Sequence, residues 1–486
     1  MSGDAAQGTP RAGVCAWGAY VPATRLPLSL IHGRPAREGG PQKAVAGFDE
    51  DAITLGVAAA VNCLHGIERT SVDALYFAST SSPFREKQAA AFAARALDLR
   101  GDIATVDFGG TLRAGAGALL AAVRAVQAEP DKQVLVIAAD ARLPAPRSAL
   151  EMNTGDAAAA FLVGATDVQA VFDAASAVSD EIYDVWRGEH DDYLRSWEDR
   201  FNVKHGYADR LAAACRALFE QTGTAAGDYS RAVLYGPDAR SLAATGRGLG
   251  FDAGAIQDGL FGQVGNCGAA FTPLLLAAAL EQAQPGDRLL AGFYGDGAEA
   301  LAFTVIAADF RPRVAIAQQL ERGRPLRSYD SYLKGRNLDA GEHDRRGGEG
   351  VSATVHFRER DDDISFLGQR CRQCGTLHFP ACRVCYRCHA RDEFDAVRLS
   401  DLRGKVMSFS FDHFFPSPEP PLIVGMCEVE NGARVYVQMC EAGPDELRCD
   451  MPVEFVFRRI HEAGRRPNYF WKSRPVRGAV SAGGAS

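Results

Sequence analysis

The sequence predicts an α/β domain followed by a small β-rich domain, and three observations support this. In the first 310 or so residues, short apolar runs typical of strands alternate with stretches at helical spacing, and the order of elements occurs twice. After about residue 350 the chain changes to short β-rich runs separated by turn residues. Five of the twelve cysteines fall between Cys371 and Cys388. We therefore expect two pseudo-repeated βαβ halves, then a metal-binding segment with a small barrel.

Composition and charge argue against several classes of protein. A chain of 486 residues is too long for one core, and 47% apolar with 23% charged residues is typical of globular proteins. A net charge of −8 disfavours nucleic-acid binding through bulk charge. No apolar run reaches about 18 residues, and residues 1–10 do not form a charged-then-apolar leader. We expect a cytoplasmic protein with no membrane span, secretory signal or nucleic-acid partner.

The first domain is expected to cover residues 13–310, after a tail at 1–12. Its first half should consist of strands and helices in alternation, and its second half should repeat that order after an aromatic- and charge-rich insertion at about 166–227. Alternation of this kind favours parallel strands with helices on both sheet faces. The predicted strands are 13–20, 72–78, 103–106, 133–139, 157–163, 232–235, 288–294 and 300–305, and the predicted helices are 49–66, 87–97, the stretch up to 126, 238–245 and 271–283.

The rest of the chain is expected to be a linker, a second domain and a tail. Residues 311–350 become rich in Arg, Gly and Asp without apolar periodicity, which is typical of a linker. Strands are predicted at 405–411, 422–429, 434–439 and 452–457, and Asn431–Gly432 between two of them predicts a type I′ hairpin. Several short strands with turn residues favour a barrel of the OB type within 351–475. Residues 476–486 form the tail.

The cysteine spacing predicts a zinc site. Cys371-x-x-Cys374 is followed after ten residues by Cys385-x-x-Cys388, which is the pairing that a tetrahedral Zn²⁺ ion requires. Four thiolates leave no open position for water, so we expect the metal to be structural. The fifth cysteine of this stretch, Cys382, could replace Cys385 or Cys388 as a ligand.

A strand, a sharp turn and a buried helix are predicted around Asp107. The apolar run 103–106 ends at Asp107, and the Gly109–Gly110 pair precedes small and apolar residues at helical spacing. Such an elbow places one side chain beside free N–H groups at a helix N-terminus, where enzymes often hold a nucleophile. Here the side chain is a carboxylate. It could equally be an N-cap for the following helix.

Residues 13–310 resemble the thiolase superfamily, and within it the hydroxymethylglutaryl-CoA synthase and ketoacyl synthase III branch. The resemblance implies an α-β-α-β-α layered fold and chemistry on acyl-CoA. The stretches that carry it are 106–111 (VDFGGT, the nucleophile elbow), 131–140 (DKQVLVIAAD), 182–187 (IYDVWR), 264–266 (VGN) and 285–303 (PGDRLLAGFYGDGAEALAF).

The resemblance also implies which catalytic residues are missing. The synthases have a cysteine at the position of Asp107, a glutamate near Thr80 and a histidine at Tyr235, so only Asn266 remains. A carboxylate could attack a thioester only to give an anhydride, and no histidine is left to act as a base. We therefore expect a site silent for acyl transfer. Cys267 could be a displaced nucleophile, although buried packing is the more common role of such a cysteine.

Two alternatives stay open for this site. Tyr235 and Asp107 could face one another as acid and base in an aldolase, because a retro-aldol reaction needs proton transfer but no thiolate. The chain could also be a synthase-like acyltransferase that uses Asp107, Tyr235 and Asn266.

Residues 366–474 resemble the zinc-ribbon OB-fold family that accompanies thiolases. That family implies contact with a separate catalytic thiolase and help in binding CoA or its pantetheine arm. Arg311 and Arg313 could meet the phosphates of CoA, as could three further arginines near the linker, although solvation is the more common role. An OB face can also stack bases. The side chains for that are Phe409, Phe411, Phe414 and Tyr436, and the further arginines are Arg322, Arg324 and Arg327.

The sequence therefore predicts a pseudo-synthase domain fused to a zinc-ribbon OB domain. It would act as the non-catalytic subunit of a homo- or hetero-oligomeric thiolase or acyltransferase complex, with structural Zn²⁺ and an acyl-CoA ligand. A pure scaffold that binds no CoA is the remaining alternative.

Overall fold

The structure of the protein, a computed structural model, describes residues 11–338, 352–415, 417–429, 432–463 and 466–476. The chain divides into two compact units. Unit 1 comprises residues 1–46, 51–94 and 99–325, and unit 2 comprises 47–50, 95–98 and 326–486. No helix in the described parts of the chain is long and apolar enough to cross a membrane.

The first half of unit 1 contains a capped central helix and the predicted strands. Asp51 accepts a hydrogen bond from Thr54 N and donates its own N–H to Thr54 Oγ1, so this helix begins at Ala52. The strands are β1 (Gly13–Tyr20), β2 (Thr24–Pro27), β3 (Gln42–Ala44), β4 (Ala74–Ala78), β5 (Ala104–Phe108), β6 (Val134–Asp140) and β7 (Ala157–Gly164). The helices are α1 (Leu28–Ile31), α2 (Ala52–Cys63), α3 (Ala89–Ala96), α4 (Ala114–Ala128) and α5 (Ala149–Asn153).

The second half of unit 1 has its own strands and a continuous helical segment. A π-helix at Asn202–Ala208 joins α6 to α7. The strands are β8 (Ala170–Ser179), β9 (Val185–Trp186), β10 (Arg195–Ser196), β11 (Arg231–Leu234), β12 (Arg288–Tyr294), β13 (Gly297–Val305) and β14 (Arg324–Pro325). The helices are α6 (Asp199–Phe201), α7 (Asp209–Thr222), α8 (Ala239–Gly248), α9 (Phe271–Leu280) and α10 (Ile316–Glu321).

Nine of these strands form one sheet, in the order β11-β12-β13-β8-β1-β7-β6-β4-β5. Only two residue pairs join β8 to β1, so the sheet consists of two half-sheets of four and five strands. Both parallel and antiparallel pairs occur, whereas the element pattern favoured parallel pairing. Strand β5 is at the edge and pairs only with β4 among the described residues.

Helices cover both faces of these half-sheets. Gly56 of α2 lies against Ile137, and Gly115 of α4 lies against Ala138, so the two helices are on opposite faces of β6. Helix α9 contacts β1 and β7 as well as β11 and β12, and is therefore central. Helix α7 packs on β8, β12 and β13 of the second half-sheet. This arrangement agrees with the predicted layering.

Two predicted boundaries in unit 1 are wrong. Strand β8 lies inside the predicted insertion 166–227, because its run AVFDAASAVS is rich in small residues and gains its strand conformation from pairing with β13. The predicted linker 311–350 also begins with ordered elements. Helix α10 and β14 fall within it, and β14 pairs with β2. Residues 339–350 of that linker lie outside the described residues.

Unit 2 contains a zinc-ribbon sheet and a closed five-stranded barrel. The ribbon sheet has the order β16-β15-β17, and the barrel has the order β18-β19-β20-β22-β21. The elements are α11 (Tyr329–Gly335), α12 (Ala353–Asp363), β15 (Leu367–Cys371), β16 (Leu377–His378), β17 (Phe394–Arg398), β18 (Arg403–Asp412), β19 (Leu422–Val429), β20 (Arg434–Met439), β21 (Pro452–Ala463) and β22 (Arg466–Pro475). The predicted barrel strands are all present, while Asn431 of the predicted hairpin turn lies outside the described residues.

Buried ion pairs lie within unit 2. The Arg458 side chain is 1% exposed and lies 2.9 Å from Glu50 and 2.8 Å from Glu441. Lys472, also 1% exposed, lies 2.8 Å from Asp49. Buried charges of this kind need partners, because a charge without one strongly destabilises the folded state.

Candidate functional site

Asp107 is on the exposed edge strand β5 and caps a helix. Its Oδ2 accepts a hydrogen bond from Ala89 N at 2.7 Å, and its Oδ1 accepts one from Ala90 N at 2.8 Å. Both amides belong to the first turn of α3. The expected capping role is therefore present, but the capped helix is α3 and not the following helix α4. This position suits a carboxylate, because the first turn of a helix offers free N–H groups and a favourable dipole.

Thr80 lies in a hydrogen-bond network centred on the buried Asp140. At the end of β6, Asp140 accepts hydrogen bonds from Thr80 N at 2.7 Å and Thr80 Oγ1 at 2.8 Å. The hydroxyls of Ser79 and Ser81 and the amide of Ala269 also donate to this carboxylate. The network holds the loop of residues 79–81 against the loop that follows Asn266. Thr80, the residue predicted to lie near the position of the synthase glutamate, therefore has a positioning contact with Asp140.

Glycine is required at position 268 in this network. Gly268 has a φ of +59°, and a Cβ there would meet the Asp140 carboxylate and the Arg142 side chain. Its amide donates to Asn266 Oδ1 at 2.9 Å. The backbone thus turns tightly beside Asp140 because no side chain is in the way.

Tyr235 and Asn266 lie together on the wall of a cavity of about 190 Å³ in unit 1. Their side chains share a hydrogen bond, and Asn266 Nδ2 donates to Gly236 O at 2.8 Å. Burial raises the pKa of Tyr235 to about 12, so this phenol is neutral at pH 7. Asp107 is not among the residues that line the cavity. The structure therefore joins two of the three predicted catalytic residues and leaves the third on the edge strand.

The cavity wall also contains polar residues to which the sequence analysis gave no role. Burial raises the pKa of Asp184, and its carboxyl group accepts hydrogen bonds from Val185 N at 2.5 Å and from the Tyr294 hydroxyl. Tyr207 donates its hydroxyl to Tyr235 O at 2.8 Å. Tyr294 could have been predicted as a site residue from the sequence, because it is the last residue of a predicted strand. Ligand sites in α/β proteins lie at the carboxyl ends of strands.

Cys267 has no access to this cavity. Its side chain is fully buried, burial raises its pKa well above that of a free thiol, and it is not among the lining residues. No cysteine lines the cavity among the described residues. The packing role expected as the common alternative agrees with these observations.

The four predicted metal ligands converge in unit 2. The Sγ atoms of Cys371, Cys374, Cys385 and Cys388 all lie within 4.8 Å of one another, and two of the Sγ–Sγ distances are 3.5 Å. With Zn–S bonds of about 2.3 Å, tetrahedral ligands lie roughly 3.8 Å apart, so the four thiols fit a zinc ion. Cys382 is outside this group and contacts Gln369 and Val384 O.

The remaining predicted residues are on the surface or near it. Arg311 donates to Ala308 O at 2.8 Å and to Phe310 O at 2.7 Å, so its guanidinium group contacts its own loop. The amide of Arg313 donates to Asn62 O. On the barrel, Phe414 is 96% exposed and Tyr436 is 68% exposed, and Phe409 and Phe411 contact each other. Among the residues predicted to have a functional role and described by the structure, only those of the unit 1 cavity and of the four-cysteine cluster lie together in a site.

Unit 1 has a thiolase-like fold, as the comparison with two solved structures shows. A hydroxymethylglutaryl-CoA synthase complexed with CoA superposes with a TM-score of 0.60 at 19% identity, and the match covers 68% of this chain and 91% of the other. The 3-oxoacyl-(acyl carrier protein) synthase III of Pseudomonas aeruginosa gives a TM-score of 0.54 at 21% identity, covering 61% and 98%. These likenesses confirm the predicted thiolase-like fold.

Sequence comparison identifies the family. The hydroxymethylglutaryl-CoA synthase of Thermococcus gammatolerans is 32% identical over 304 residues, which is 61% of this chain and 87% of the relative. The Pyrococcus horikoshii synthase is 31% identical over 335 residues, covering 67% and 95%. The chain belongs to the hydroxymethylglutaryl-CoA synthase family.

Two further family models match the C-terminal part. Residues 358–395 match the rubredoxin-like zinc ribbon domain of ChsH2, and residues 396–458 match its C-terminal OB-fold domain. The first match contains all four clustered cysteines and agrees with the observed ribbon sheet. The second agrees with the closed barrel. Both predicted C-terminal domains are therefore confirmed.

Proposed function

We propose that the chain is a subunit that binds an acyl-CoA but carries out no acyl transfer itself. It would act beside a separate catalytic thiolase, in carbon–carbon bond formation or cleavage of the Claisen type. One observation carries the proposal: Asp107, which the resemblance places at the position of the synthase cysteine, caps α3 with both carboxylate oxygens and does not line the cavity.

The chemistry of the cavity supports this proposal. Acyl transfer through a covalent intermediate needs a nucleophile and a base within reach of it. The lining residues include no thiol, and Tyr235 is protonated at pH 7 where the synthases have a histidine. Thr80, at the glutamate position, is held by Asp140. The cavity can hold and orient an acyl group, but it has no group that would accept one.

The proposed ligand and partner are supported by the relatives. One solved synthase of similar fold is described as a complex with CoA, and another as a complex with 3-hydroxy-3-methylglutaryl coenzyme A. The C-terminal domains belong to the ChsH2 type, and their zinc would keep the ribbon folded without taking part in a reaction. CoA binding through Arg311 or Arg313 stays a prediction.

The test is to incubate the full-length protein with acetyl-CoA and acetoacetyl-CoA and to measure its intact mass. We expect no acyl adduct and no release of free CoA, while calorimetric titration gives a measurable Kd for the thioester. A covalent adduct that Asp107→Asn abolishes would overturn the proposal. Failure to bind any CoA compound would favour the pure scaffold.

The partner is tested by native purification. We expect the chain to copurify with a thiolase, and thioester turnover to depend on that second protein. Full turnover by the chain alone would contradict a non-catalytic role.

An aldolase is the second candidate function. It is favoured by the phenol of Tyr235 and the carboxyl group of Asp184 in one cavity, because a retro-aldol reaction needs an acid and a base but no thiolate. Asp107 does not belong to that constellation. Turnover of a 3-hydroxyacyl-CoA by the isolated protein, lost in Tyr235→Phe, would support this candidate over the first.

A further inference from the structure

A short segment from the N-terminal part of the chain belongs to unit 2. Residues 47–50 group with residues 326–486, although their neighbours in sequence belong to unit 1. The segment reads Gly-Phe-Asp-Glu, and Asp49 and Glu50 are only 5% and 8% exposed. Acidic side chains are almost never buried to this extent unless they are paired. The groups around this segment therefore form a defined site.

Both carboxylates of the segment contact buried cations of the barrel. Lys472 on β22 lies 2.8 Å from Asp49 Oδ2. Arg458 on β21 lies 2.9 Å from Glu50 Oε1 and 3.8 Å from Asp49 Oδ1. Hydrogen bonds between charged groups are about twice as strong as neutral ones, and burial reduces their screening by salt. The barrel thus offers two adjacent acidic residues a matching pair of cations.

The main chain and the aromatic ring of the segment are bound as well. Arg459 N donates to Asp49 O at 2.9 Å, and Arg459 Nη2 donates to Phe48 O at 2.8 Å. The Lys472 ammonium group lies 5.1 Å from the centroid of the Phe48 ring, which is a cation–π distance. One ring, two carbonyl groups and two carboxylates are therefore held at once, as in the sites that recognise extended peptides.

The site lies where β21 has no neighbouring strand on one side. Among the described residues, β18 pairs with β21 only at Pro452–Glu454, whereas β22 follows β21 as far as Ala463. The amide of Arg459 donates to Asp49 O and not to a strand of the barrel. Free strand edges are the places where peptide segments attach through their main chain. The barrel thus presents both a main-chain donor and the two cations along one edge.

The barrel itself also holds Arg458 in place. Glu441 Oε1 lies 2.8 Å from Arg458 Nη2 and 3.0 Å from Arg474 Nη1. A side chain that is already oriented loses less conformational entropy when it binds a ligand. Arg458 is therefore prepared for a carboxylate in the position of Glu50.

We propose that Arg458, Arg459 and Lys472 form a peptide-recognition site on the barrel for an aromatic residue followed by two acidic residues, and that residues 48–50 of this chain are its occupant. The inference goes beyond the proposed function, because it concerns a peptide ligand of the barrel and no acyl-CoA. A second protein could use this site only by displacing residues 48–50. Any protein that acts beside this chain is therefore expected to bind another surface.

The first test offers the segment as a free peptide to the full-length protein. The probe is a fluorescent peptide of residues 45–52, VAGFDEDA, and the protein is the Phe48→Ala/Asp49→Ala/Glu50→Ala variant. Fluorescence anisotropy should show a Kd at least tenfold lower than for a control peptide with Asn and Gln in place of the two acids. Wild-type protein should bind the acidic peptide at least tenfold more weakly than the variant, because its own segment fills the site. Equal binding of the two peptides, or no binding, by the folded variant would overturn the inference.

A double-mutant cycle in the full chain is decisive if that variant does not fold. Asp49→Asn and Lys472→Met should each lower the midpoint of urea unfolding, measured by tryptophan fluorescence. The double variant should resemble the worse single variant, because both changes remove the same contact. Arg85→Met with Glu189→Gln, an exposed pair, is the control and should show small additive effects. Additive effects of Asp49→Asn and Lys472→Met would overturn the assigned site.

Discussion

Asp107 accepts two backbone hydrogen bonds at the start of α3, and these contacts account for a carboxylate at the end of an exposed strand. A cysteine there would leave the amides of Ala89 and Ala90 to other partners, because a thiol is a weak acceptor. Under the proposed function, this position is also the one that would hold the nucleophile of a synthase. A single side chain thus links the local structure of α3 to the proposed loss of acyl transfer.

The capping contact predicts a specific stability effect. Asp107→Ala should lower the free energy of unfolding by about 1 kcal/mol, since loss of a side-chain cap typically costs that amount. Urea denaturation followed by circular dichroism measures it. Asp131→Ala, an exposed carboxylate in the turn after α4, serves as the control and should have a much smaller effect. Equal stability of the two variants would argue against the capping role.

The ligand set of the metal site predicts different zinc contents for variants of two nearby cysteines. Cys385→Ser should lose the zinc, whereas Cys382→Ser should keep about one zinc per chain, because Cys382 lies outside the four clustered thiols. Zinc is quantified by mass spectrometry of the purified proteins. Zinc loss in Cys382→Ser would contradict the assigned ligand set.

At the scale of elements, one carboxyl group joins the end of α9 to the start of α10. Glu281, directly after α9, accepts a hydrogen bond from Ile316 N, with oxygen distances of 3.1 and 3.2 Å. Burial raises the pKa of Glu281 to about 7. The folded state therefore holds a proton that the unfolded chain, with an ordinary glutamate pKa of about 4.3, has already released.

This shift predicts a pH dependence with a defined sign. Between about pH 4.5 and 7 the folded state binds more protons at Glu281, so this group's contribution to stability falls as pH rises through that window. Glu281→Gln should remove the fall and gain on the order of 1 kcal/mol relative to wild type at pH 8, allowing for the partial exposure of the group. Thermal melts of both proteins at several pH values measure the difference, and parallel curves would refute it.

The elements near the predicted linker show where sequence reasoning failed. Helix α10 has only six residues and β14 only two, so neither has a usable periodicity. They are held by distant partners, such as Glu281 for Ile316 of α10 and Thr24 of β2 for Arg324 of β14. By contrast, β1, β6 and β12 are long apolar strands, and their own residues sufficed to predict them.

Some residues of the candidate sites could be predicted from the sequence, and others could not. The spacing of the two Cys-x-x-Cys pairs is visible in the sequence, so the four metal ligands were predicted correctly. Tyr235 and Asn266 were predicted as site residues because the stretches around them resemble those of the synthases. Asp184 was missed, because only the fold brings it to the Tyr294 hydroxyl and into the cavity. The separation of Asp107 from that cavity was likewise invisible in the sequence.

At the scale of the molecule, the buried charges of unit 2 join distant parts of the chain. Lys472 and Asp49 are 423 positions apart in sequence and form a 2.8 Å contact. Arg458 contacts Glu50 and Glu441 in the same unit. No local pattern marks such pairs, since each partner alone is an ordinary charged residue.

Removal of one of these charges should be costly. Arg458→Met should lower the free energy of unfolding of unit 2 by about 3–5 kcal/mol, because it leaves buried carboxylates without their cation. Arg85→Met is the control, since the Arg85–Glu189 pair is largely solvent-exposed, and little change is expected. Denaturant unfolding curves separate these results, and similar curves for both variants would contradict the prediction.

The π-helix between α6 and α7 is a place where the loss of one residue would change which side chains line the cavity. A π turn holds one residue more than an α turn. Losing a single codon there would restore an ordinary helix and swing the preceding side chains round by about 100°, with α7 undisturbed. Asn202 and Val203, which line the cavity, would then give way to other residues, so one deletion would change the cavity wall while leaving the sheet unchanged.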